Sequence, residues 1–357
     1  MKHVNAIALL TLIVAVSPVQ AQFRECGTVV SDRQMAAERA QIEAGELPTL
    51  PVPVVSPFHL PMTIHICRKS NGTGGMTPAA VDSAMRYLNL QYVPVGIQFF
   101  QYGSIIYIDN DFFYRIPDSD IARNMLRQQQ VVANNINVYF TLLDNLCGQS
   151  SFPADDVQGV LMDSACAGSV LNTSTFAHEV GHYLDLYHTH ETQFGTECPN
   201  GSNCATTGDL LCDTPADPDL SDSVNAACVW TGTATLPPGC GSTPYAPQTN
   251  NLMSYSSKTC RNLFTPGQIN RMLNTMGGSR LNLHTNVKYV DRDWTGAQNG
   301  TPQEPYATVA QALSAAAFQN FIFIKSASYP GALTSLPSNT LIQLHRWNAS
   351  GTVVIGQ

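Results

Sequence analysis

The chain is 357 residues long, 44% hydrophobic and only 12% charged, which is room for two domains of ordinary size or one large domain with a tail. Its net charge of −8 argues against nucleic acid or an anionic membrane as the main partner and reads most simply as solubility. The N-terminus, MKHVNAIALLTLIVAVSPVQAQ, has a basic start at Lys2, an apolar run from Ala6 to Val16, and small residues Val19 and Ala21 around Gln20. That pattern predicts a secretory signal peptide over 1–21, its apolar run too short to cross a bilayer. No later stretch reaches the roughly 18 apolar residues that a membrane span needs. The expectation is a soluble protein secreted to the extracellular space or the periplasm.

Residues 22–57 read as a pro-segment and linker. A charged, helix-prone patch, SDRQMAAERAQIEAGE, precedes the proline-rich LPTLPVPVVSPFHLP, where proline favours extended chain. MTIHIC then alternates as a strand does. TPAAVDSAMRYLNLQY predicts a helix capped by Thr77 and opened by Pro78, with Val81, Met85 and Leu88 on one face. GIQFFQYGSIIYI, NINVYFTLL and GVLMDS read as further strands, so a sheet flanked by helices is expected up to about residue 165. TFAHEVGHYLDLYHTH, 175–190, gathers four histidines and a glutamate. After it, Cys198, Cys204, Cys212, Cys228, Cys240 and Cys260, of 10 cysteines in all, crowd a segment rich in Gly, Pro, Asp and Asn. In an oxidising compartment crosslinks stand in for a core there. TPGQINRMLNTMGG predicts another helix, capped by Thr265, opened by Pro266, striped with Ile269, Met272, Leu273 and Met276, and stopped by Gly277 and Gly278. Beyond residue 284 the character changes to a separate, mainly β unit over 285–357.

His178 and His182 are four apart, so on a helix both imidazoles reach one ion, with Glu179 to the side and placed to move a proton rather than bind metal. A catalytic zinc wants a third protein ligand and an open position. His188 lies ten residues beyond His178; on a continuous helix that is about 80° off-axis and about 15 Å away. The helix must therefore break and turn back between His182 and His188.

HEVGHYLDLYH resembles the metzincin zinc signature HExxHxxGxxH. CDTPA at 212–216 and NLMSYSSKTCRNLFTPGQINRM at 251–272 are similar to the pappalysin family of secreted metzincins (peptidase M43), a likeness covering about residues 58–280. It implies an α+β fold over 58–284: a twisted mixed sheet, an active-site helix, a Met-turn and a C-terminal helix. It implies that His178, His182 and His188 hold one catalytic zinc, that Glu179 is general base and acid for hydrolysis of a protein or peptide substrate, and that Met253 is the Met-turn methionine. Tyr255 is implied to stabilise the transition-state oxyanion, and the strand at GVLMDS to be the edge along which an extended peptide pairs. Disulfides Cys212–Cys240 and Cys228–Cys260 follow from the family pattern; Cys147–Cys166 and Cys198–Cys204 follow from proximity.

Asp185 departs from the signature, standing where glycine is expected. Asp visits the left-handed region at a cost of about 1–2 kcal/mol, so the turn is expected to survive; a damaged site and a fourth metal ligand are the alternatives. The resemblance also implies that Cys26, in FRECGT, is a latency switch blocking zinc, against an ordinary disulfide. Setting Cys26 aside leaves nine cysteines, four bridges and one free thiol, for which Cys67 in its strand is the candidate. Asp209 and Asp213 are candidates for calcium, with an exposed acidic loop as the alternative. His190 is read as structural or surface, pointing away from the metal if the chain is extended, and His65 as packed in its strand. KYVDRDWTGAQNGTPQEPYATVAQALSAA with FIFIKSASYPG resembles the start of a parallel β-helix, against a small β domain of other topology. SYSSKTC supplies Ser256, Ser257 and Lys258 where arginine-directed relatives carry acids, so a pocket for arginine is not expected. The rival function is a catalytically inactive cell-surface or polysaccharide-binding protein.

Overall fold

The computed structural model describes residues 25–44, 58–302, 304–316, 320–325, 327–329, 343–346 and 353–355; the expected signal peptide and proline-rich linker lie outside the described residues. Helix α1 (Asp32–Ala44) precedes β1 (Phe58–Arg68), α2 (Pro78–Tyr92), β2 (Ile97–Gln101) and β3 (Ile106–Asp109). Then come α3 (Asp111–Tyr114), β4 (Arg115–Ile116), α4 (Asp120–Arg127), β5 (Ile136–Leu143), β6 (Gly148–Ser150) and β7 (Val160–Asp163). Helices α5 (Thr175–Tyr183) and α6 (Pro266–Gly277) complete the larger part.

The main sheet runs β2-β1-β5-β7-β6, with β3 beside the second half of β1 and β4 beside β5. All pairings are parallel except β6 against β7, where Gln149 faces Leu161. Parallel strands covered on both faces read as near-continuous apolar runs, and β1 is buried over all but its last residue. Leu60, Met62, Ile64 and Ile66 face a core shared with α2, α5 and α6, while Cys67 joins a second cluster with Leu126 of α4 on the opposite face. Thr77 accepts from Ala80 N to cap α2, and Thr265 with Gln268 forms a capping box on α6. His65 is packed as expected, stacked on Tyr139 and bonded to Asn137 at 3.0 Å.

Two expectations are corrected. β7 is an interior strand; the edge is β6. The residues Gly-Gln-Ser carry no apolar alternation, so their strand character comes only from pairing with β7. The cysteine-rich segment between α5 and α6 has only isolated bridges for regular structure, and its crosslinks are Cys198–Cys240, Cys204–Cys212 and Cys228–Cys260. Cys147–Cys166 and Cys228–Cys260 form as expected; Cys212–Cys240 and Cys198–Cys204 do not. The turns at Gly201 and Gly208 bring Cys204 to a Cα separation of 4.9 Å from Cys212, within disulfide reach, leaving Cys198 for Cys240. Cys26 and Cys67 are free and buried.

Strands β8 (Val287–Val290), β9 (Phe321–Ile324) and β11 (Gln343–Arg346) form a second, wholly parallel sheet in the order β11-β9-β8, with α7 (Val309–Ala315) packed on β8 and β9. β10 (Ser328–Tyr329) and β12 (Val354–Ile355) pair in parallel beside it. This unit seats on the larger part through Tyr289, Phe321 and Phe323 against Phe100 and Tyr102. His59 stacks on Phe323 at 3.8 Å, and its N–H donates to Tyr289 Oη at 2.7 Å.

Candidate metal centre

Helix α5 carries His178, Glu179 and His182 and is buried throughout. It stops at Tyr183 because the next residues close a left-handed cap. Asp185 N donates to His182 O at 2.9 Å and Leu186 N to Gly181 O at 2.9 Å, the paired bonds of a Schellman motif, with Asp185 at φ 78°. Aspartate does here what glycine does in the signature. Its carboxylate lies 3.0 Å from Arg271 and accepts from Gln34 Nε2 at 2.7 Å, so it is spent on the turn and not on a metal.

The reversal returns His188 to the helix. His182 Nε2 lies 3.1 Å from both His178 Nε2 and His188 Nε2, and 3.5 Å from Cys26 Sγ. The four ligand atoms all fall within 4.8 Å of one another. His178 Nδ1–H donates to Leu252 O and His182 Nδ1–H to Leu186 O, both at 2.7 Å. With the protons fixed there, the Nε2 lone pairs face each other, an arrangement a shared cation holds together and neutral rings alone would not. Burial lowers His182 to about 3, and with the neighbouring imidazoles puts His178 and His188 well below their ordinary value. Three neutral imidazoles and one sulfur fit tetrahedral zinc. Burial and the Glu179 charge raise the Cys26 thiol in the bare protein; a bound dication reverses that preference, and Thr28 N already donates to Sγ at 3.2 Å.

Glu179 is fully buried beside this cluster and is pushed up to about 8, chiefly by burial. Its Oε2 accepts from Thr28 Oγ1 at 3.2 Å. The edge strand passes so close that a Cβ on Gly148 would lie 2.5 Å from Glu179 Oε1. Beneath α5, a Cβ on Gly181 would lie 2.5 Å from Met253 Sδ. Met253 is held by a bond from its N–H to Asn251 Oδ1 at 2.8 Å. Tyr255 Oη donates to Cys26 O at 3.0 Å.

His190 does not point away: it stacks on His188 at 4.8 Å and meets Tyr255 at 4.3 Å. The chain turns at Glu191, whose N–H donates to His188 O, instead of continuing extended. Asp213 places both oxygens on the start of α6, accepting from Thr265 Oγ1 and Gly267 N, whereas Asp209 is buried against Glu197.

Residues 25–30 lie across the whole centre. Gly27 N donates to Gly148 O at 2.9 Å and Ser150 N to Thr28 Oγ1 at 2.8 Å, so the segment bonds to the edge strand β6. Glu25 pairs with Arg261 at 3.2 Å and Lys258 at 3.4 Å. Thr28, Glu25 and Arg261 carry no sequence signal of their own; only the FRECGT motif marked the place.

Imidazoles converging from a broken helix, a buried carboxylate beside them and a methionine turn beneath define a metalloendopeptidase, and its metal chemistry is that of zinc. Residues 148–277 match the model of the peptidase M43 family, described as Pregnancy-associated plasma protein-A. The chain is similar to the extracellular metalloprotease of Colletotrichum graminicola, 29% identical over 287 residues, covering 74% of this chain and 94% of that one. It is likewise similar to the extracellular metalloprotease of Sordaria macrospora, 28% identical over 276 residues, covering 72% and 89%. Among solved structures, Tannerella forsythia mature mirolysin in complex with a cleaved peptide is 20% identical, covering 64% of this chain and 96% of that one, with a TM-score of 0.47.

Proposed function

We propose that the protein is a secreted zinc endopeptidase made as a zymogen, with His178, His182 and His188 as zinc ligands and Cys26 as the latency switch. The observation that carries the reading is the convergence of Cys26 with the three histidines inside 4.8 Å. Export is supported by the leader pattern of residues 1–21, by four disulfides and by relatives named extracellular. Among the described residues, no helix is long and apolar enough to cross a membrane.

Zinc, when bound, supplies Lewis acidity to water and to the scissile carbonyl. The remaining work falls to the chain. β6 offers its free edge to an extended peptide, as it now offers it to Gly27 and Thr28. Glu179, raised by burial toward neutral pH, takes a proton from the attacking water and returns it to the leaving amine. Tyr255 Oη, now donating to the Cys26 carbonyl, is free after pro-segment release to donate to the oxyanion. The inactive reading rested on Asp185, which fills the left-handed position of the turn and leaves the three imidazoles together.

The test is casein hydrolysis by the matured protein with and without zinc chelation. Chelation should abolish cleavage and zinc should restore it, and Glu179→Ala should keep metal while losing turnover. Cleavage indifferent to chelation, or a zinc-loaded protein that cuts nothing, defeats the proposal.

A further inference from the structure

Beside the metal centre opens a cleft of about 910 Å³, lined by Glu25, Tyr255, Lys258, Leu220 and Val224 among others. Lys258 is the cation of its lining, and Arg261, outside the lining, reaches it through Glu25. Arg261 is wholly buried, and its guanidinium donates to Ser174 Oγ, Thr175 Oγ1 and the Ser254 carbonyl, all neutral groups. The carboxylate it pairs with is Glu25, which also meets Lys258. A buried guanidinium is stable when a carboxylate accompanies it. Glu25 belongs to the pro-segment, so maturation takes that carboxylate away, leaving Lys258 in the cleft lining and the buried Arg261 guanidinium behind it without its carboxylate. Asp222 also lines the cleft and is exposed to solvent, where its charge is screened. Lys258 is further steadied by a contact of 3.3 Å to Cys147 Sγ.

Glu25 is also adjacent in sequence to Cys26, whose sulfur lies among the imidazoles. Its side chain therefore stands where a residue flanking the scissile bond would put its own. We propose that Lys258 and Arg261 make this cleft a subsite for an acidic side chain, so that the mature enzyme selects peptides with Asp or Glu next to the cleaved bond. This rests on the peptidase reading above and adds its substrate class. The pairing is charge-assisted and one of its donors is fixed by burial, so a neutral isostere forfeits the interaction and leaves the cations unpaired.

The experiment compares kcat/KM of the matured enzyme on peptides identical except for Glu, Gln or Lys at each position flanking the bond. Glu is expected to exceed Gln by roughly tenfold or more at one flank, with Lys poorest. Lys258→Glu, chosen because Lys258 is partly exposed while an Arg261 variant threatens folding, should erase or invert the order. Casein cleavage with no Glu preference, or a preference untouched by Lys258→Glu, overturns the inference and spares the peptidase reading. A second arm does not depend on catalysis: calorimetric binding of a peptide spanning Glu25–Ala44 to the matured protein. Its Glu25→Gln form should bind about tenfold more weakly; equal binding overturns the acid subsite even if no peptide is cut.

Discussion

Asp185 and Arg271 meet twice. The Asp185 carboxylate lies 3.0 Å from the guanidinium, and Arg271 Nε donates to the Asp185 carbonyl at 2.6 Å. The same guanidinium holds Glu38 of α1 through two bonds of 3.0 and 2.6 Å, over the ring of Tyr187. The residue that departs from the zinc signature thus ties the metal-site turn to α6, and through Arg271 and Gln34 to α1, which the zymogen reading places in the pro-segment. Asp185→Gly should relieve about 1 kcal/mol of backbone strain but strip Arg271 of a partner. In the zymogen Glu38 remains; in the matured protein the buried guanidinium has lost both carboxylates, at a cost of about 3 kcal/mol or more. Denaturant midpoints should therefore fall clearly in the matured form and much less in the zymogen. Equal losses in both forms would show that the pair does not act this way.

Glu38 gives α1, within the proposed pro-segment, an anchor remote from the three histidines. Glu38→Ala leaves Arg271 paired with Asp185 but removes the buried bond that fixes α1, while Tyr187 Oη loses its acceptor at 3.1 Å. A loss of about 1.4 kcal/mol or more in docking is a tenfold rise in the open population. Activation by limited proteolysis should accelerate by at least that factor, with zinc content and matured activity unchanged. Cys26→Ser should raise basal activity of the uncleaved chain, and the two changes together should exceed either. An activation half-time for Glu38→Ala equal to that of the unaltered chain would place latency wholly at the cysteine.

What could be read ahead of the structure follows what chemistry fixes by residue type. HEVGH followed by His188 required a chain reversal for three imidazoles to meet, and the reversal is there. The caps at Thr77 and Thr265 announced α2 and α6 because a side chain bonding its own backbone is a local event. β6 escaped because three residues without alternation become a strand only when β7 pairs with them. The partners of Cys198 and Cys204 escaped because spacing does not encode how turns bring sulfurs together. Glu25 with Arg261, and Glu38 with Arg271, join residues more than two hundred positions apart, and no window along the chain contains both.

Gly148 lets the edge strand come close to Glu179, the proposed general base. A Cβ there would meet Glu179 Oε1 at 2.5 Å and Cγ at 2.6 Å, so Gly148→Ala must displace the carboxylate or lift the strand. A misplacement near 1 Å costs about 10²-fold in rate. The expected outcome is a fall in kcat of that order with zinc stoichiometry intact, since the histidines hang from α5 and not from β6. Loss of zinc together with activity would mean that the change had disturbed the ligands instead.

Glu197 contributes to the pH dependence of the crosslinked segment. It is buried, and burial with the Asp217 charge raises its carboxyl to about 7 from an ordinary value of 4.5. A raised folded-state pKa means that the native protein favours the protonated acid. The stability this group confers is complete below about pH 4.5 and is lost as pH rises through 7. Glu197→Gln, neutral throughout, should match the unaltered protein near pH 4.5 and surpass it at pH 8 when both are melted in calcium-free buffer. Because Glu197 abuts the buried Asp209, calcium added at pH 8 separates two states of the pair. A cation held there would raise the melting temperature of the unaltered protein and leave Glu197→Gln nearly unmoved; no rise in either would assign Asp209 and Glu197 to the packing of the loop alone.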